Sequence, residues 1–163
     1  MKTAEIVLKL IFDKLKISPE IKTLADRKRV QKTIYLAQST GVDIGYCFGW
    51  YLSGPYSPEL MEKCHSLNGN LHLNNREYEK YCLCDDISSK IDAIKDIMTP
   101  PADIILQQEE WLELLASIAF LFTEKNYTKE QAIKYMGPEK EQLLIHFDVG
   151  LIVLKNHGLI NSF

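Results

Sequence analysis

The sequence has few of the residues that break secondary structure, since its 163 positions include only eight glycines and six prolines. Hydrophobic residues make up 46% and charged residues 25%, which is ordinary for a folded globular chain and excludes extended disorder. No apolar run approaches the roughly 20 residues that a helix needs to cross a bilayer. The first residues mix charges into their apolar part and lack a small-residue cleavage site, so they do not resemble a signal peptide. We expect a cytoplasmic protein with no membrane partner.

The sequence also lacks the motifs of common active sites. It contains no glycine-rich phosphate loop, no G-x-S-x-G elbow and no H-E-x-x-H pair. Its four cysteines lack the paired spacing of structural zinc sites, and we expect them to be reduced and mostly buried. A site at Cys64 and His65, or at the C-x-C of Cys82 and Cys84, is a minor alternative. We therefore expect no catalytic residue, no metal and no cofactor.

Charge is distributed unevenly along the chain, although the net charge is only −3. Residues 1–40 carry nine lysines and arginines against four acidic residues, whereas the remainder carries ten against eighteen. A chain with this polarity can offer a basic face to an acidic partner without being basic overall.

Apolar periodicity predicts a mainly α-helical fold. Gln107 to Thr123 is apolar on nearly every side, which is typical of a central, buried helix. The residues form either one compact domain or two lobes, 1–99 and 100–163, that meet at Pro100-Pro101. Helices are expected over residues 3–15, 26–40 with Asp26 as the cap, 57–69, 87–98, 107–123, 128–136 and 139–156.

The segment from Ile44 to Ser53 alternates large apolar side chains with small ones, and this period predicts a β-strand. Tyr78 to Cys84 is either a helix turn or, as we expect, a second short strand that pairs with it in a small sheet. Gly54 and Pro55 end the strand, and a new helix begins with Ser57 as N-cap and Pro58 at the first helical position.

The last two predicted helices, Thr128–Met136 and Glu139–Asn156, have the outline of a helix-turn-helix joined at a Gly-Pro step. A helix that reads DNA needs cations to neutralise phosphate. The second helix begins instead with two glutamates among its first three residues. A DNA-binding transcriptional regulator is therefore the alternative interpretation and not the preferred one.

The candidate working surface is the basic helix that follows Asp26, together with the aromatic turn after it. Cations interleaved with tyrosines on a rigid support are typical of protein-binding hot spots, and they can also bind nucleic acid. The helix and turn residues expected to touch a partner are Arg27, Lys28, Gln31, Lys32, Tyr35, Tyr51, Tyr56 and Glu59. The residues expected to shape the turn are Trp50, Gly54, Pro55, Ser57 and Pro58.

These same residues carry a resemblance to a known family. The pattern formed by Lys28, Val30-Gln31-Lys32, Ile34 to Gln38, Phe48, Trp50-Tyr51 and Gly54 to Leu60 resembles YwgA-like bacterial and archaeal proteins. It is more distantly similar to the Panacea domain of SocA-like antitoxins. This chain differs from the Panacea pattern at two places. After Gly-Pro the Panacea turn usually has small aliphatic residues, where this chain has Tyr56-Ser57. The Panacea tryptophan usually lies one residue nearer the glycine of the turn than Trp50 does here. Trp111 to Ile118 and the ending Gly158 to Ile160 also resemble the YwgA-type second half.

The resemblance implies a small, mainly helical protein with no catalytic residues. In the Panacea branch it implies an antitoxin that binds and neutralises a toxin. By analogy, we expect a non-enzymatic interaction module of a toxin–antitoxin or phage-defence system, whose partner is a protein.

Overall fold

The computed structural model describes residues 1–161, and this part of the chain is mainly α-helical with one small sheet. The α-helices are α1 (Thr3–Leu15), α2 (Leu24–Ser39), α3 (Pro58–His72), α4 (Asp85–Asp92), α5 (Gln108–Thr123), α6 (Lys129–Met136), α7 (Glu141–Leu144) and α8 (Phe147–Asn156). Single 3₁₀ turns lie at Glu77–Lys80, Lys95–Met98 and Pro138–Lys140. The mainly helical fold class predicted from the sequence is confirmed.

The sheet is an antiparallel hairpin of β1 (Gly49–Tyr51) and β2 (Gly54–Tyr56), with Leu52 and Ser53 as its two-residue turn. The prediction of a long strand from Ile44 that pairs with residues 78–84 is wrong. Residues 77–80 form a 3₁₀ turn instead. The strand that pairs with β1 is β2, which begins at Gly54 and Pro55, the residues that were expected to end the first strand. A short pair joined by a two-residue turn satisfies the backbone locally, without a distant partner.

Helix α5 is the centre of the fold, as its apolar sequence predicts. Every residue from Trp111 to Phe122 is buried, and α2, α6, α8 and β2 contact it. The buried apolar side chains of residues 1–161 form one cluster that runs across Pro100-Pro101. This continuity favours the alternative of one compact domain over two separate lobes.

Local hydrogen bonds explain where several helices begin. Helix α2 begins after Thr23, whose hydroxyl accepts from the backbone N–H of Asp26, so the prediction of Asp26 as the N-cap is wrong. The Asp26 carboxylate instead accepts from the Thr23 N–H and completes a capping box. Ser57 caps α3 as predicted, because its hydroxyl accepts from the Leu60 N–H at 3.3 Å.

Two predicted helices are shorter than expected. The helix expected over residues 87–98 stops at Asp92 and continues as a 3₁₀ turn after Ile94. The helix expected from Glu139 to Asn156 is a 3₁₀ turn, a single turn of helix and then α8. Periodicity shows which side chains face the core, and it does not reveal where the axis bends between them. The second helix of the supposed helix-turn-helix is therefore not one continuous rod.

Candidate functional site

Helix α2 holds the loop after it through two glutamine side chains seven residues apart. The amide of Gln31 donates to the carbonyl of Ser57 at 2.8 Å and accepts from its N–H at 2.9 Å. Gln38 makes the same pair of bonds to Tyr46, each at 2.9 Å. A side-chain amide offers one donor and one acceptor, as a backbone peptide does. Each glutamine side chain therefore makes the same two backbone hydrogen bonds that a neighbouring strand would make. We call Gln31 and Gln38 the glutamine clamps.

Lys32 makes a third link from α2 to the loop. Its ammonium donates to the carbonyl of Pro55 at 2.6 Å, and the residue is only 2% exposed. Burial lowers the pKa of Lys32 from 10.5 to about 7, against the opposite influence of Glu113. Lys140 and Lys28 lower it further. The folded environment therefore favours the neutral amine more than water does.

Gly54 lets the hairpin lie directly on α5. A Cβ placed at Gly54 would come within 2.3 Å of the Ser117 hydroxyl oxygen, and the residue has a φ of +83° that favours glycine. The ring of Trp50 packs at 5.8 Å from Phe120 of α5 and at 5.2 Å from Tyr135 of α6. The hairpin is thus fixed from below by α5 and from the sides by α2 and α6.

A buried carboxylate ties the start of α2 to the region after α6. Glu113 accepts from Lys28 at 2.8 Å with one oxygen and from Lys140 with the other. Burial alone would raise the pKa of Glu113, but the hydrogen bonds and charges of Lys140 and Lys28 outweigh it and hold that pKa below its ordinary value. Lys28, Lys140 and Glu113, with Lys32 beside them, form what we call the lysine cluster.

The tip of the hairpin is apolar and faces solvent. Leu52 is 89% exposed and Tyr51 is 62% exposed, and Leu24, at the start of α2, is 66% exposed. The rings of Tyr51 and Tyr56 lie 5.2 Å apart on one face of the hairpin. Large apolar side chains are usually buried, so a group of them held in solvent on one turn marks a candidate binding surface.

A cleft of about 460 Å³ opens between the hairpin tip and α2. Leu24, Tyr51, Leu52 and Tyr56 contribute its apolar part, and Arg27, Lys28 and Lys32 contribute its cations. The remaining lining residues are Gln31, Ser53 and Gly54. The opposite side of the tip borders a second depression, which Trp50 and Tyr135 line. The tip therefore projects between two grooves.

The residues predicted to touch a partner divide into an accessible and a buried set. Arg27, Tyr51 and Glu59 are exposed, and Lys28 and Tyr56 are half-buried. The other three, Gln31, Lys32 and Tyr35, were also expected on the partner-binding surface, but they are buried, at 1%, 2% and 5% exposure.

These three residues are buried because the loop after α2 folds back over their face of the helix. Tyr35 packs edge-on against Phe48 with ring centres 5.2 Å apart, and the other two bind the loop backbone. They support the surface and do not form part of it.

The predicted turn-shaping residues all lie in or next to the hairpin. Gly54 and Pro55 are buried in β2, Ser57 caps α3, and Pro58 is the first residue of that helix. Trp50 is half-buried in β1.

Sequence reasoning missed Glu113, Lys140 and Leu24. A single carboxylate in the apolar run of α5 was a usable signal for Glu113, because such a group is buried only with partners. Neither Lys140 nor Leu24 has a local signal, since their place at the site depends on how distant elements pack.

The alternative sites based on cysteine gain no support. Only Cys64 is buried, while Cys47, Cys82 and Cys84 are exposed, so the prediction of mostly buried cysteines is wrong. Burial raises the pKa of Cys64 to about 12, which keeps it a neutral thiol at physiological pH. Within residues 1–161, no three His, Cys, Asp or Glu side chains are arranged so that they could hold a metal ion.

Comparison of the chain with protein-family models, with curated proteins and with solved structures gives no match. Among the helices of the described residues, none is long and apolar enough to span a bilayer. The fold and the site therefore define a mainly α-helical protein with a supported apolar hairpin tip.

Proposed function

We propose that this protein is a non-enzymatic protein-binding module and that its docking surface is the tip of the β1–β2 hairpin with the start of α2. The observation that carries the proposal is the exposure of Tyr51 and Leu52 on a turn that buried hydrogen bonds hold in place. A backbone fixed in this way loses little conformational entropy when a partner covers the side chains that it presents.

The class of partner follows from the resemblance of Lys28 to Leu60 to YwgA-like proteins and, more distantly, to antitoxins of the Panacea type. The proposed partner is a toxin or another protein component of a defence system. The chemistry of the site is consistent with binding, since the cleft presents apolar surface, cations and amides rather than an activated nucleophile with its base.

The test compares two variants that remove equally exposed leucines. Leu52→Ser removes the tip, and Leu73→Ser removes a leucine that is 82% exposed after α3 and does not line the cleft. Proteins that co-purify with the tagged chain are quantified by mass spectrometry, and an enriched protein is then produced alone and titrated against all three forms. We expect Leu52→Ser to weaken binding by at least about ten-fold, since hot-spot truncations cost about 2 kcal/mol, and Leu73→Ser to bind as wild type.

Equal binding by wild type and Leu52→Ser would contradict the proposed surface. Retardation of duplex DNA at nanomolar concentration, lost as salt rises, would favour the DNA-binding alternative instead.

A further inference from the structure

The lysine cluster at the cleft between α2 and the hairpin holds more positive than negative charge. Glu113 is the carboxylate within it, and both of its oxygens are already occupied, by Lys28 and by Lys140. Lys32 has no carboxylate bonded to it in the described part of the chain, and its hydrogen bond goes to the neutral carbonyl of Pro55. Three lysines therefore share one acid, and the exposed guanidinium of Arg27 at the rim adds to the imbalance.

The other acids beside this cluster lie outside the cleft itself. Glu110 and Glu139 line the adjoining depression, together with Glu113, and neither of them lines the cleft. Lys28 lines both spaces and so connects the two. The cleft is thus a partly enclosed space where uncompensated positive charge meets apolar walls, and charge in such a space is poorly screened by salt.

We infer that this cleft takes an aspartate or glutamate side chain of the partner protein, with an apolar neighbour of that acid packed on Leu24, Leu52 and Tyr56. This inference rests on the proposed function and specifies the chemistry of the same site. The occupant is a short acidic–apolar segment of a protein, because a volume of about 460 Å³ suits one or two side chains.

The apolar rim argues against a phosphate backbone as the occupant. Leu52 at 89% and Leu24 at 66% exposure stand where a nucleic acid would have to place its charged, hydrated backbone. A hydrated phosphate backbone does not pack against leucine, so both leucines would stay in contact with water. Removing water from the phosphates at this place would cost free energy without burying apolar surface in return. A protein segment satisfies both surfaces at once, since it can place a carboxylate inward and an apolar side chain against the rim.

Binding of a carboxylate should be coupled to protonation of Lys32. Burial, with Lys140 and Lys28, lowers the pKa of Lys32 to about 7, and Glu113 alone opposes that shift. An added negative charge favours the ammonium form and raises the pKa, so above neutral pH the complex takes up a proton. The affinity for the acidic segment should therefore fall as the pH rises from about 7 to about 9, where the free protein has lost this proton.

The experiment selects peptides from a random library displayed on phage, with the intact chain immobilised. Selected peptides, and copies with each Asp or Glu changed to Asn or Gln, are then titrated by fluorescence anisotropy against three forms of the protein. These forms are wild type, Lys28→Met and the control Lys95→Met, whose lysine is exposed on a 3₁₀ turn and does not line the cleft. Circular dichroism confirms that each variant is folded.

We expect the selected peptides to contain an acid next to an apolar residue, and the neutral copies to bind about ten-fold more weakly, because charge-assisted hydrogen bonds are lost. Lys28→Met should weaken the acidic peptide and leave its neutral copy unchanged, Lys95→Met should change neither, and the acidic peptide alone should lose affinity at high pH. Acidic and neutral copies that bind equally, or selection of basic peptides or of none, would overturn the inference. If charge has no effect here while Leu52→Ser still weakens binding of the co-purified protein, the proposed function stands and only the acidic occupant is wrong.

Discussion

The face of α2 that supports the loop is polar and buried, whereas the tip of the hairpin is apolar and exposed. On α2, an amide and an ammonium are 1% and 2% exposed, whereas at the tip a leucine is 89% exposed. The buried polar groups are each hydrogen-bonded to the loop backbone, so they hold one conformation in place. The exposed leucine at the tip adds little to this framework. The polar face therefore builds the tip, and in the proposed function the apolar tip is what meets the partner.

Substitutions of the polar residues of α2 that support the loop should have the largest effect on stability. Gln31→Leu leaves the buried N–H of Ser57 without a partner, which costs about 1–3 kcal/mol. It also removes the shorter of the two hydrogen bonds to the Ser57 carbonyl, which keeps only the Met61 N–H at 3.3 Å, and a lost bond costs about 1 kcal/mol more. We expect a loss of about 3 kcal/mol in the free energy of unfolding by urea denaturation. Gln38→Leu, at a half-buried residue, should lose about 1 kcal/mol because water can replace it. Equal losses of unfolding free energy in the two variants would contradict the expectation that the more buried glutamine stabilises the fold more.

A second pair of variants separates close packing from backbone strain. Gly54→Ala introduces a methyl group against Ser117 at a φ of +83°, while Gly41→Ala meets open space at a φ of +88°. We expect Gly54→Ala to lower the free energy of unfolding by about 2–3 kcal/mol and Gly41→Ala by about 1 kcal/mol. Thermal denaturation with calorimetry gives both values. A Gly54→Ala protein as stable as Gly41→Ala would contradict the contact between the hairpin and α5.

The buried lysine should give stability a characteristic pH dependence. The pKa of Lys32 is about 7 in the folded state against 10.5 in the unfolded state, so between these values the unfolded chain holds more protons. Its contribution to stability therefore rises as the pH increases through this window. Relative to Lys32→Met, wild type should gain about 2 kcal/mol between pH 7 and pH 9, because one pKa unit corresponds to about 1.4 kcal/mol. A difference that stays constant over this range would contradict the lowered pKa.

Changing the apolar side of the contrast should leave stability almost untouched. Leu52→Ser alters a side chain that is 89% exposed, so we expect the free energy of unfolding to change by less than about 0.5 kcal/mol. Urea denaturation beside Leu73→Ser provides the measurement and its control. A loss above about 1 kcal/mol would mean that the tip has a structural role and would weaken its assignment as a docking surface.

The sequence predicts the helical class, the buried α5 and the cap at Ser57, because each depends on local periodicity or capping chemistry. It fails on the outer face of α2, where Gln31 and Lys32 have the polarity of surface residues. Only the loop that folds back over them makes them interior, and this contact spans more than twenty residues.

The alternation from Ile44 to Ser53 was also only partly informative. It reflects burial as far as Tyr51, since Tyr46 is buried and Cys47 is exposed, but it fails at Leu52, which is 89% exposed at the hairpin turn. At Tyr46 a side-chain amide takes the place of a neighbouring strand. A period of two therefore indicates which side chains face inward and does not reveal what pairs with the backbone.

Hydrogen–deuterium exchange of the chain with and without its bound partner tests the central claim most directly. If the supported tip is the docking surface, the partner should slow exchange at residues 51–53 and at the start of α2, and leave α8 unchanged. Protection confined to α8 or to residues 71–86, with unaltered exchange at the tip, would contradict it.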